Sequence, residues 1–210
     1  MMRTIAATAV AVAVACAGSA AAGEVAINLE GGWAELSNAK RSAEAVFDGA
    51  SGGFTFGAGV RWSVTPSIYV ALGGRYFSKD GERAFVSAPD QPPFGLGHPL
   101  SLRLIPVHAQ AGWRFRPGTS FVPYVGLGVG ATSYREESTV GDIPEPTVSE
   151  TKFSVLVSAG LEYGRGPVRF GVDLSYSTVP DSLGVGGVSQ VYGEDDLGGF
   201  TALGRIVFVP

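Results

Sequence analysis

From residue 24 onward, apolar positions alternate with small or polar ones at a period of two, in eight separate stretches. Residues 24–36 set Val25, Ile27, Leu29 and Trp33 against Ala26, Asn28, Glu30 and Gly32. The pattern returns over residues 54–64, 68–77, 102–115, 121–132, 152–163, 168–176 and 199–209, and no stretch carries helical periodicity. Strict alternation over such lengths predicts strands with one apolar face. The predicted connections alternate too. Residues 65–67, 116–120 and 164–167 are short; 37–53, 78–101, 133–150 and 177–198 are long. Short turns on one side and long loops on the other predict an eight-stranded antiparallel transmembrane β-barrel with short periplasmic turns and long extracellular loops. An even strand count leaves both ends of the barrel on the short-turn side.

Two barrels share this alternation. In a soluble one the apolar face lines a cavity; in a membrane one it meets lipid. The small face decides between them. Gly57, Gly59, Gly73, Gly112, Gly126, Gly128, Gly130, Gly160 and Gly171 all fall on it. Glycine weakens a strand and covers nothing, so it makes a poor water-facing surface. Inside a narrow barrel it leaves room for larger side chains. On the apolar face, Trp62, Trp113, Phe115, Phe121, Tyr163 and Phe208 gather near the short turns. Trp33, Phe54, Tyr76, Phe153, Tyr176 and Phe200 gather near the long loops. Two aromatic girdles around an aliphatic band are the signature of a membrane barrel.

Composition sharpens the picture. Only 16% of the 210 residues are charged, and 31 are glycine; a soluble chain carries about a quarter charged residues. No apolar run is long enough for a transmembrane helix. Residues 1–22 read as a signal peptide: Arg3 as the basic start, residues 5–17 as the apolar segment, and Ala20-Ala21-Ala22 as the cleavage site. Residues 23–210 form the barrel domain in this reading. Removing the signal takes away one base and no acid, moving the net charge from −4 to −5. Cys16, the one cysteine, falls in the apolar segment. It fits a lipidation site only loosely, because the usual leucine three residues earlier is missing.

The chemistry to be expected lies in the lumen. Glu30, Glu162 and Asp173 face inward against Arg61, Arg75, Arg114, Arg169 and Arg205. Eight strands leave only enough interior for side chains, and a desolvated charge is costly unless paired. The expectation is a salt-bridged plug; the sharper alternative is an ion path lined by arginine. For catalysis the only imidazoles are His98 and His108. His98 reads as a loop residue with no serine beside it. His108 reads as an inward-pointing member of the polar network next to Gln110. The glycine runs at 126–130 and 184–187 do not open a helix after a strand, so phosphate-loop geometry is not expected. Glu194-Asp195-Asp196 lacks calcium-ligand spacing and reads as a solvated loop. No catalytic, cofactor or metal residue is expected. Residues 133–150 and 177–198 each carry a net charge of −4, which does not suit nucleic acid but suits cation bridges to lipopolysaccharide or a basic protein partner.

Three segments carry a family likeness: the signal-like start, Arg103-Leu104-Ile105-Pro106-Val107, and above all residues 121–130 with their Pro-Tyr-x-Gly-x-Gly-x-Gly pattern. Together they resemble the small outer-membrane barrel domains of the OmpA, OmpX and OmpW type. Gly204, Ile206 and Phe208 resemble the terminal signal read by the outer-membrane assembly machinery, although Val209-Pro210 follows the aromatic. The resemblance implies a porin-like, OmpA-like monomer in the outer membrane of a Gram-negative bacterium, in contact with lipid and lipopolysaccharide. It implies a role in envelope integrity, adhesion or host interaction and no enzymatic activity. The alternative it implies is a narrow, OmpW-like path for small hydrophobic molecules.

Overall fold

The computed structural model describes residues 23–140, 143–144, 146–184 and 186–210. The expected signal peptide and Cys16 lie outside the described residues. Eight long strands appear among them: β1 (Val25–Glu35), β2 (Gly52–Ser63), β3 (Ile68–Phe85), β4 (Phe94–Arg114), β5 (Phe121–Val140), β6 (Val148–Tyr163), β7 (Val168–Thr178) and β8 (Gly199–Phe208). Each pairs antiparallel with the next, and β1 pairs with β8 from Ile27↔Phe208 to Glu35↔Phe200, which closes the ring. A two-residue strand, Ile143–Pro144, extends the tip of β5. No described helix is long and apolar enough to cross a membrane; the crossing is made by strands.

Side-chain exposure shows which way the faces point. Leu29, Leu72, Leu127, Phe170 and Leu174 are half or more exposed. Asn28, Asp173 and Ser175, each one position along from an exposed leucine, are buried. The apolar face therefore looks outward and the lumen is filled, which excludes a soluble barrel with an apolar cavity. Cross-strand pairs such as Val60↔Leu72, Leu127↔Val157 and Leu29↔Ile206 make the belt continuous. At the long-hairpin rim Tyr76 packs on Phe56 and Tyr176 on Phe200, with ring centroids 5.4 and 4.8 Å apart.

The short turns are tightly made. Ile68 donates its N–H to Thr65 Oγ1 at 2.9 Å, and Arg116 (φ +50°) and Gly118 (φ +85°) turn the chain between β4 and β5. The opposite end departs from expectation. Much of what reads as loop at 78–101 and 133–150 is strand: β3 and β4 stay paired out to Phe85↔Phe94, and β4 and β5 to Leu100↔Ser138. Beyond the bilayer both faces of a hairpin are wet, so the pairing continues while the hydrophobic alternation that would reveal it fades. His98 accordingly sits on β4 rather than in a loop.

Two short helices are also new: α1 (Lys40–Val46) and α2 (Gly187–Tyr192). Ala39, Ala43, Val46 and Phe47 follow helical spacing, but about two turns are too little for a pattern search to register. Asp48 (φ +52°) and Gly49 (φ +79°) end α1 in left-handed geometry. α1 folds over the wide end of the barrel, where Ala43 and Phe47 join Leu36, Phe77, Leu100, Leu102, Leu104, Tyr134, Val179 and Leu197 in an apolar cluster.

All three tryptophans, Trp33, Trp62 and Trp113, point outward, with relative exposures of 55%, 45% and 46%. In bilayers of lipids brominated near the headgroup, their fluorescence is expected to be strongly quenched. Quenching by aqueous iodide alone would contradict the outward orientation.

Candidate functional site

The lumen is the one place where the fold gathers chemically active side chains at density, and it does so in two ionic layers. The layer nearest the short turns holds Arg61 from the end of β2, Arg114 from the end of β4 and Arg169 from the start of β7. Glu162 comes from the end of β6, and Glu24 immediately precedes β1. Arg61 Nη1 and Nη2 lie 2.5 and 3.3 Å from the two oxygens of Glu162. Arg169 Nη2 donates to Glu24 Oε2 at 2.8 Å and its Nη1 to Glu162 Oε1 at 3.0 Å. Arg114 Nη1 reaches Glu24 Oε1 at 3.2 Å, and its Nη2 lies 3.7 Å from Glu162. Arg61 Nη2 lies 3.6 Å from Glu24. Each of the three guanidiniums thus touches both carboxylates.

The second layer lies deeper and repeats the arrangement with two of each sign. Arg75 Nε donates to Glu30 Oε1 at 2.7 Å, and its Nη2 lies 3.6 Å from Asp173. Arg205 spans the same two acids, at 3.5 Å from Glu30 and 3.6 Å from Asp173. Asn28 donates to Glu30 at 3.3 Å, and Ser175 accepts from Arg75 at 3.0 Å. Tyr124 ties the layer together by donating to Asp173 Oδ2 at 2.8 Å and accepting from Arg205 Nη1 at 2.7 Å. Shared pairing of this kind lets the most deeply buried of these ions solvate one another.

All eight residues singled out from the sequence for the lumen network are in these two layers. Glu24 joins them without being singled out, although it opens the alternating stretch 24–36 on the same parity as Asn28 and Glu30. The tyrosines escape that reading. Tyr69 packs edge-to-face on Tyr124 at 6.2 Å and accepts from Gln110 at 3.2 Å; Gln110 also donates to Ser158. A tyrosine on the polar face reads as a break in the pattern, although a large side chain beside glycines is the signal that finds it. A Cβ added at Gly160 would sit 2.3 Å from Tyr124 Cζ, and one added at Gly112 would sit 2.4 Å from Tyr69 Cζ. Those two glycines are the space the two rings occupy.

His108 Nε2 lies 2.9 Å from Ser154 Oγ, and both residues are buried. A serine beside an imidazole invites comparison with a nucleophile and its base. No hydrogen bond from a carboxylate orients this imidazole, and the nearest cavity, lined by His108, Gln110, Gly73 and Arg75, holds only about 40 Å³. The neighbouring backbone amides are committed to the strand ladder, so none is free to stabilise an oxyanion. The pair is a packed element of the lumen.

At the wide end the acidic run also departs from expectation. Glu194 accepts from the backbone N–H groups of Arg41 (3.0 Å) and Ser42 (2.8 Å) and from Ser42 Oγ, holding the first turn of α1. Asp196 accepts from the N–H of Val179 at 2.7 Å and of Gly198 at 2.6 Å. These acids are structural rather than a solvated loop. Arg41 bridges to the β3–β4 hairpin through the carbonyl of Pro89 and stacks on Tyr192 of α2 at 4.2 Å. Burial, reinforced by the neighbouring Glu136 carboxylate, pushes the Tyr134 phenol upward, so it remains a donor to that carboxylate. Among the described residues no group of three His, Cys, Asp or Glu side chains is arranged to hold a metal ion.

Comparison with known proteins agrees with this geometry. The family model for the outer membrane protein beta-barrel domain matches residues 5–200. Among solved structures, neisserial surface protein A superposes with a TM-score of 0.59 at 12% identity, over 90% of this chain and 100% of that one. A major outer membrane protein of Thermus thermophilus superposes with a TM-score of 0.55 at 14% identity, over 90% and 99%. At such identities the likeness is one of fold alone. No curated protein sequence matches the chain.

Removing one member of a buried pair strands its partner. Glu162→Ala, which leaves three guanidiniums sharing Glu24 alone, is expected to cost about 3 kcal/mol and to lower the thermal unfolding temperature in detergent; an unchanged Tm would show that the layer contributes nothing. Gly160→Ala is expected to destabilise by about 2 kcal/mol in the native background and by less beside Tyr124→Leu, which relieves the ring contact but not the one at 2.5 Å to the Val172 carbonyl oxygen, a coupling that a double-mutant cycle measures.

Proposed function

We propose, from the premise that the chain belongs to the outer membrane protein beta-barrel domain family and lies in the bacterial outer membrane, that it is a structural, surface-presenting barrel with a sealed lumen. In this reading it carries out no catalysis and needs no cofactor. The observation that carries the reading is the filling of the lumen. Two ionic layers and an apolar cluster lie in series along the axis, and the cavity beside the deeper ionic layer holds only about 40 Å³. A hydrated ion crossing such an interior has to break shared salt bridges whose members cannot be re-solvated there.

The same reading assigns the short turns to the periplasm and the long hairpins to the cell exterior. Function then rests on the exterior elements, as it does where loops ride on a rigid scaffold. Their chemistry is mixed. Phe85, Phe94, Leu96 and Ile143 are exposed well beyond the lipid belt, beside carboxylates such as Glu137 and Glu150. Apolar groups at exposed tips, set among charges, suit contact with a protein surface or the outer leaflet. A role in adhesion or envelope integrity uses such a surface and needs no pore. Lipopolysaccharide, the assembly machinery and a monomeric state belong to the same proposal.

One observation favours the alternative, a path for small hydrophobic molecules. At the wide end a pocket of about 80 Å³ lies between α1 and the lip, with Leu36, Val46, Leu100, Leu102 and Leu183 in its walls. The ring of strands is hydrogen-bonded all the way round, however, so the barrel wall offers no sideways exit.

Single-channel recording in planar bilayers tests the proposal. The sealed barrel is expected to give no resolvable openings, whereas steady openings would overturn it in favour of transport.

A further inference from the structure

The ionic layer at the short-turn mouth is unbalanced. Three guanidiniums, Arg61, Arg114 and Arg169, share the two carboxylates Glu24 and Glu162, so the layer carries one uncompensated positive charge. The deeper layer has two of each sign and no such excess. Buried excess charge is costly. Arg61 and Arg114 are buried, with relative exposures of only 4% and 5%, so water screens that excess charge poorly.

The space for an acceptor lies alongside. A cleft of about 340 Å³ opens at the short-turn end, with Arg114, Arg165, Arg169, Ser63, Thr65 and Thr119 in its walls. Arg165 is exposed and has no ion-pair partner among the described residues. Glu24 is the one acid lining the cleft, and both its oxygens are engaged by Arg114 and Arg169. Ser63 Oγ accepts from Arg114 at 3.2 Å, which leaves its own proton to donate. Gly166, at φ +89° and with open space where a Cβ would stand, keeps the rim of the cleft low.

We propose that this mouth is a binding site for a phosphate group, gripped by the fork of Arg165 at the rim and by the one Nη2 proton of Arg169 that Glu24 leaves free, and neutralising the excess charge of the layer beneath. Guanidinium forks match phosphate oxygens in number and spacing, and a volume of this size admits the group with its remaining hydration. The group can come from a free ion or from a phospholipid headgroup at the membrane face. The site does not rest on whether the lumen conducts.

The test uses the folded protein in a nonionic maltoside detergent, with inorganic phosphate exchanged for chloride at constant ionic strength. Phosphate is expected to raise the unfolding temperature saturably. In Arg165→Gln, a substitution at an exposed side chain outside the network, the apparent Kd is expected to weaken about tenfold, the loss of one charge-assisted contact. Short-chain phosphatidylglycerol, titrated in parallel, separates the sources: a shift with phosphate identifies a free ion, and a shift with the lipid alone identifies a headgroup. No saturable shift with either probe, or an unaltered shift in Arg165→Gln, overturns the site.

Discussion

A peptide group facing hydrocarbon has no water to bond to, and in this chain the seam between β1 and β8 is where that constraint is met. Nine residue pairs, from Ile27↔Phe208 to Glu35↔Phe200, join the first strand to the last. Without them the backbone donors and acceptors of every second residue along both strands would be orphaned in lipid. Closure at eight strands then fixes the bore, and the bore decides what the inward residues can be. Only side chains fit, and they must satisfy one another.

The interior is graded along the axis as a result. Near the short turns it is ionic and shared among five residues; in the middle it is ionic and balanced, with Tyr124 as a common donor and acceptor; near the long hairpins it is aliphatic, under α1. Glycine governs the packing as much as charge does. Tyr69 and Tyr124 lie across the lumen because Gly112 and Gly160 present no side chain where the rings pass. The outer surface is simpler, since lipid asks only for apolar area and places its aromatic residues at the two rims.

Much of this was legible in the sequence, for a physical reason. Where one face meets hydrocarbon and the other a crowded lumen, residues 54–64 and 121–132 must alternate, and they do. The inward arginines and acids followed from the same parity. Legibility failed where the environment stopped being two-sided. The outer halves of β3, β4 and β5 are wet on both faces and read as loop. Glu24 shares the inward parity of Asn28 and Glu30, and its place at the very start of the run let it pass unread. α1 is too short for its 39–43–46–47 spacing to stand out. The acids of 194–196 looked solvated because partners such as the Ser42 amide lie more than 150 residues away in the chain. The role of the exterior elements is carried by no motif at all.

The hold of Glu194 on the first turn of α1 has a consequence for anything that binds the long-hairpin end. Two segments far apart in the chain share one folded surface, so neither has its shape alone. A peptide copied from residues 36–51 lacks the carboxylate that organises it, and an antibody raised against that peptide would meet a different object on the cell. Sequence drift in one segment is likewise constrained by the other, and an insertion near residue 194 would be felt at α1.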